Sequence, residues 1–142
     1  LTNIVKDVAH DLQKGRCYVP ESMLAEAGLK PRDLADQSNL SRFRPVLSKL
    51  VRLATDHLDH GWMYTMSIPR TETRLRLSCM WPILSAGESL KLVLYSPNLL
   101  NPATKVKIPR SKVYQIMALT TFTGACGYVG TAYWGRLRKQ IA

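Results

Sequence analysis

From Ser41 to Met66, Phe43, Val46, Leu47, Leu50, Val51, Ala54 and Leu58 recur at steps of three and four residues. That spacing lines them along one face of an α-helix and predicts a long helix with one buried side. Pro45 falls in its first turns, where proline is tolerated, and Gly61 is a place where its far end can break or bend. Two more long helices are expected. One runs from Arg70 to Tyr95 with a kink at Pro82, the other from Arg110 to Ile141. Between them Ser96 to Pro109 reads as a loop, rich in proline and asparagine. Ahead of the long helices, Leu1 to Lys14 reads as a helix capped by Gly15. Glu21 to Ala27 is a short helix opened by Pro20 and stopped by Gly28, and Pro31 to Asp36 adds a turn or two. Only Lys105 to Ile108 alternates as a strand would. The expected fold class is all-α, a single layered helical bundle.

The 142 residues, 46% apolar and 21% charged, suffice for one globular core. The net charge of +10 favours an anionic partner: a phosphorylated ligand, an anionic membrane surface or nucleic acid. The basic residues are scattered over every helix without a nucleic-acid-binding motif, so nucleic acid is not the expected partner. Cys17, Cys79 and Cys126 form neither a metal pattern nor a disulfide framework. They read as buried thiols of a reducing compartment, which points to a cytoplasmic protein. Val113 to Gly135 carries no charge, the mark of a candidate membrane span. Its glutamine, threonines and glycines make it polar for a span, and a buried final helix is expected instead. The basic end, Arg136, Arg138 and Lys139, suits peripheral contact with anionic lipid.

Asn3, Asp7 and Asp11 are spaced i, i+4, i+8, which sets them on one side of the first helix. Two carboxylates one turn apart repel by a few tenths of a kcal/mol, and a divalent cation reverses that sign. Magnesium takes oxygen ligands, few of them from protein, and leaves positions for phosphate oxygens and water. Asn3 adds a neutral oxygen, while Lys6 and Arg16 stand near enough in sequence to hold the same anion. Asp56, His57, Asp59 and His60 form a second polar cluster that reads as a solvated helix face.

The string Leu1-Thr2-Asn3-Ile4-Val5-Lys6-Asp7-Val8-Ala9-His10-Asp11, followed by Gly15-Arg16-Cys17-Tyr18-Val19-Pro20, resembles the second aspartate-rich region of the squalene/phytoene synthase family. The resemblance implies that Asn3, Asp7 and Asp11 are magnesium ligands, with Asp7 and Asp11 catalytic. It implies that Lys6, Arg16 and Tyr18 bind the substrate diphosphate. Lys6 stands where the family has arginine, and His10 where it has an acid. His10 lies off the Asn3/Asp7/Asp11 stripe and reads as an exposed helix residue.

Further on, Cys79-Met80-Trp81-Pro82 resembles the kinked helix lining the hydrocarbon pocket of squalene synthases, and Lys105-Val106-Lys107-Ile108-Pro109-Arg110 their loop contacting NADPH. By that resemblance Lys105, Lys107 and Arg110 bind the cofactor NADPH. Met80, Trp81, Leu84 and Leu92 line a tunnel or belong to the core. The family's first aspartate-rich motif is not found. The chain therefore reads as the C-terminal half of a domain, partnered by a missing N-terminal half and inactive alone. The resemblance implies condensation of two farnesyl diphosphates to presqualene diphosphate and reduction to squalene. The alternatives are a dehydrosqualene or phytoene synthase without reductant, and a non-catalytic member.

Overall fold

The computed structural model describes residues 1–122 and 128–141. Its seven described α-helices are α1 (Thr2–Lys6), α2 (Val8–Gln13), α3 (Glu21–Glu26), α4 (Leu40–Ser67), α5 (Thr73–Tyr95), α6 (Arg110–Phe122) and α7 (Tyr128–Ile141). Two 3-10 turns, Pro31–Ala35 and Gln37–Asn39, lead into α4. Among the described residues there is no β-strand, and the Lys105 to Ile108 alternation is non-helical loop. The all-α architecture is as the periodicity requires.

The antiparallel pair α4–α5 is the centre of the fold. Gly61 of α4 faces Ile83 of α5, so the helix runs unbroken through that glycine and gains a close approach there. Each end of the pair is closed by an arginine from the facing helix. Arg44 donates to the carbonyls of Leu94 and, at 2.8 Å, of Ser96; Arg76 donates to that of Ile68 at 2.7 Å. These carbonyls finish α5 and α4, where the helical ladder supplies no donor and the negative end of the dipole favours a cation. Both prolines are accommodated. Pro45 sits in the second turn of α4, and Pro82 in α5 leaves the carbonyl of the exposed Ser78 open to water.

The apolar side chains form two clusters. Val5, Val8, Leu24, Phe43, Leu47, Val51, Leu90 and Val93 tie the N-terminal helices to α4 and to the end of α5. Trp62, Met80, Ile83, Leu84, Ile116, Trp134 and Leu137 join α4, α5, α6 and α7. Met80 and Leu84 are thus core residues, Trp81 packs beside them, and Leu92 is exposed. Cys17 and Cys79 are free and half-buried, more open than the sequence suggests, and Cys126 lies outside the described residues.

The single C-terminal helix expected from Arg110 to Ile141 is instead two helices folded back on each other. Glu88 of α5, 7% exposed, accepts a hydrogen bond from the Tyr133 hydroxyl of α7 and lies 3.6 Å from the Lys112 ammonium of α6. In one straight helix residues 112 and 133 would be about 30 Å apart. A continuous helix would also outrun α5, the surface it has to cover. α7 approaches α5 closely because Gly87 and Gly130 have no side chains. A Cβ at Gly87 would stand 2.8 Å from the Trp134 ring, and one at Gly130 2.9 Å from the Met80 sulfur. Trp134 stacks on Trp62 with ring centroids 6.1 Å apart. No described helix is long and apolar enough to cross a membrane.

Two measurements follow from this packing. Gly87→Ala drives a methyl into a rigid indole, and urea denaturation is expected to show a loss of about 1–3 kcal/mol. Burial first, then the hydrogen bond to Glu88 and its charge, pushes the Tyr133 phenol well above the ordinary tyrosine range. A group whose pKa rises on folding contributes stability that is complete below its unfolded value, about 10, and is lost as pH climbs through the folded one. Tyr133→Phe is therefore expected to cost about 1–2 kcal/mol at neutral pH. Above about pH 10 the wild type is expected to lose stability and converge on the variant.

Candidate functional site

The first polar stripe is built on a bent helix. Asp7 has φ −102° and ψ 17°, which separates α1 from α2, yet the ladder continues through it. The Asp7 N–H donates to the Asn3 carbonyl and the Asp11 N–H to the Asp7 carbonyl, each at 2.9 Å. α2 ends in a Schellman turn. Gly15, at φ +70°, donates to Leu12, and Arg16 donates to the Asp11 carbonyl at 2.9 Å. Glycine takes this left-handed position without strain, and the turn brings the Arg16 backbone back to Asp11.

The three stripe residues do not share one lining. Lys6, Asp7 and His10 open on a cleft of about 260 Å³ whose far wall includes Thr104, Lys105 and Lys107. Asp11 lies with Arg16 and Tyr18 along a separate, shallow recess. A step of four residues overshoots the helical turn by about 40°, so two steps turn Asp11 well away from Asn3. Arg110, at the start of α6, is exposed and lines neither. The cleft thus unites the aspartate-rich helix with the basic loop about a hundred residues later. His10 was legible as exposed but not as part of this cleft. The available signal was its spacing, three residues after Asp7 and four after Lys6, both neighbours on a helix surface.

The oxygens of Asn3 and Asp7 already converge on a cation. The Lys6 ammonium stands 3.3 Å from Asn3 Oδ1 and 3.5 Å from Asp7 Oδ2. An all-oxygen set already gathered around one positive charge fits a magnesium ion. Among the described residues no three His, Cys, Asp or Glu side chains cluster as ligands, so most coordination positions would be filled by water and phosphate oxygens. In the Asp56 to His60 cluster Asp56, His57 and His60 are exposed, as a solvated helix face would be, while Asp59 reaches another helix. Asp59 accepts from Trp134 Nε1 at 2.8 Å and pairs with Arg138 at 2.7 Å, and the His60 ring bonds the Asp56 carbonyl.

The dinucleotide fits less well than the metal. Of the three loop cations, Lys105 and Lys107 line the cleft of about 260 Å³ and Arg110 does not, so the set expected to hold a dinucleotide is divided. A diphosphate suits the size of the cleft and its two lysine walls.

A 15-cis-phytoene synthase of Enterobacter agglomerans is 44% identical over 54 residues, 38% of this chain and 18% of the relative. Phytoene synthase 2 of Solanum lycopersicum is 30% identical over 86 residues, 61% of this chain and 26% of the relative. Phytoene synthase 1 of Zea mays is 31% identical over 83 residues, 58% and 18%. The chain thus spans 18–26% of the length of these curated relatives. The squalene/phytoene synthase family profile matches residues 1–112, from the aspartate-rich helix through the basic loop, and the chain belongs to that family.

Proposed function

We propose that the full-length protein joins two prenyl diphosphates head to head in a magnesium-dependent reaction and releases a hydrocarbon without a reductant, as a phytoene-type synthase. The observation that carries this reading is the cleft in which Asp7 and Lys6 face Lys105 and Lys107. Asn3 and Asp7 are the residues that would hold magnesium at this cleft, with Asp11 on the neighbouring recess, and the ion's positive charge, when bound, would stabilise the departing diphosphate. Lys105 and Lys107 would bind the diphosphate from the loop side, where their charge counts most as the C–O bond breaks. Arg16 and Tyr18 would hold phosphate oxygens beside Asp11. An apolar wall completed by the rest of the domain would keep water from the allylic cation until the second chain's double bond captures it; loss of a proton closes that step, and departure of the second diphosphate followed by loss of a second proton gives the hydrocarbon.

The names of the relatives favour the reductant-free branch. The second reading, a squalene synthase using farnesyl diphosphate and NADPH, is favoured by the Lys105 to Arg110 loop sequence. For localisation we propose peripheral membrane contact, since the product is insoluble in water and Arg136 and Lys139 are exposed at the basic end.

Incubating the full-length protein with magnesium and either farnesyl or geranylgeranyl diphosphate, with and without NADPH, decides the product. A phytoene-like hydrocarbon formed equally without NADPH is expected. Squalene formed only with NADPH selects the second reading, and no consumption of either substrate defeats both. Asp7→Asn is expected to lower turnover about a hundredfold or more, whereas Arg110→Met leaves it within about threefold because Arg110 lies outside the cleft.

A further inference from the structure

We propose that Lys6 is a built-in counter-ion: its ammonium occupies the metal-binding oxygens in the ligand-free protein and leaves them for the incoming diphosphate. This rests on the magnesium–diphosphate reading of the cleft. Lys6 contacts both partners that a metal would need, Asn3 Oδ1 at 3.3 Å and Asp7 Oδ2 at 3.5 Å. Its side chain is 19% exposed and lines the same cleft as Lys105 and Lys107. The ammonium therefore has two anionic environments within reach, the stripe it now neutralises and whatever anion enters the cleft.

Lysine is suited to such an exchange. Its charge is compact, its stem is flexible and its three donors rotate freely, where a guanidinium would be fixed in a fork. With no anion in the cleft, a divalent ion arriving alone must displace Lys6 into a region already positive from Lys105 and Lys107. With a diphosphate present, the displaced ammonium gains a new partner. Metal and diphosphate thus strengthen each other's binding, and by linkage the effect is mutual. The site would stay closed to free metal and open to the metal–diphosphate pair.

The test is Mn2+ binding to the full-length protein by electron paramagnetic resonance, alone and with inorganic pyrophosphate. In Lys6→Met, Mn2+ alone is expected to bind about three- to fivefold tighter than in the wild type, the range of one solvent-screened ion pair. The tightening produced by pyrophosphate is expected to shrink. Lys6→Arg is expected to keep the weak metal-only affinity. Lys105→Met lies on the same cleft but does not pair with Asn3 or Asp7, and it is expected to tighten metal-only binding by less than about twofold, clearly less than Lys6→Met, because it only lowers the repulsion that the displaced ammonium meets. Equal tightening in Lys105→Met and Lys6→Met would overturn the inference in favour of general charge repulsion. Unchanged or weaker metal-only binding in Lys6→Met would overturn it as well. No Mn2+ binding in any variant, with or without pyrophosphate, would instead remove the metal-site reading on which it stands.

Discussion

The packing of α5 against its neighbours is the contact on which the rest of the fold depends. Its final turns bury Leu90 and Val93 with the N-terminal helices, and its middle buries Met80, Ile83 and Leu84 under α6 and α7. α1 is packed against this same helix. The bend that presents Asp7 is therefore fixed through Val5, fully buried two residues before it, rather than through the polar residues themselves. The loop after α5 is anchored likewise: Leu99 and Leu100 are buried in the first cluster, and Leu99 also lines the cleft. Burial of these apolar side chains brings the two walls together, and charge then decides what can sit between them.

That division explains the electrostatic design of the site. On the helix wall the carboxylate facing the cleft, that of Asp7, is already paired with Lys6, and the loop wall carries two lysines that repel each other. Placed across a cleft of about 260 Å³, the two walls suit a ligand that is itself both anion and metal-bound. Asp59 shows the contrasting case. Each of its carboxylate oxygens has a partner on α7, Trp134 on one and Arg138 on the other, so it holds α4 to α7.

Much of this was legible in the sequence because it depends on local rules. The long period of α4, the proline punctuation and the glycine stops set element positions to within a few residues. The family resemblance rested on a contiguous string around Asn3, Asp7 and Asp11 that the family match covers. What was not legible depends on tertiary geometry. The charge-free stretch from Val113 to Gly135 has no local signal that separates one helix from two. Its division becomes visible only when Glu88 is found reaching both Lys112 and Tyr133. Nor could spacing alone show that Asp7 and Asp11 open on different recesses, since that follows from the accumulated angle along the helix and the bend at Asp7. His10 lies off the Asn3/Asp7/Asp11 stripe in sequence, and only the folded loop after α5 makes it part of the cleft.

One anion bridging the two walls is what the site is built for. The most direct measurement is a crystal structure of the full-length protein with magnesium and an unreactive prenyl thiodiphosphate. The account predicts the diphosphate between Lys105 and Lys107 on one side and magnesium held by Asp7 on the other, with the Lys6 ammonium turned away from Asn3. A diphosphate bound elsewhere, with Lys6 still on Asn3 and Asp7, would contradict it.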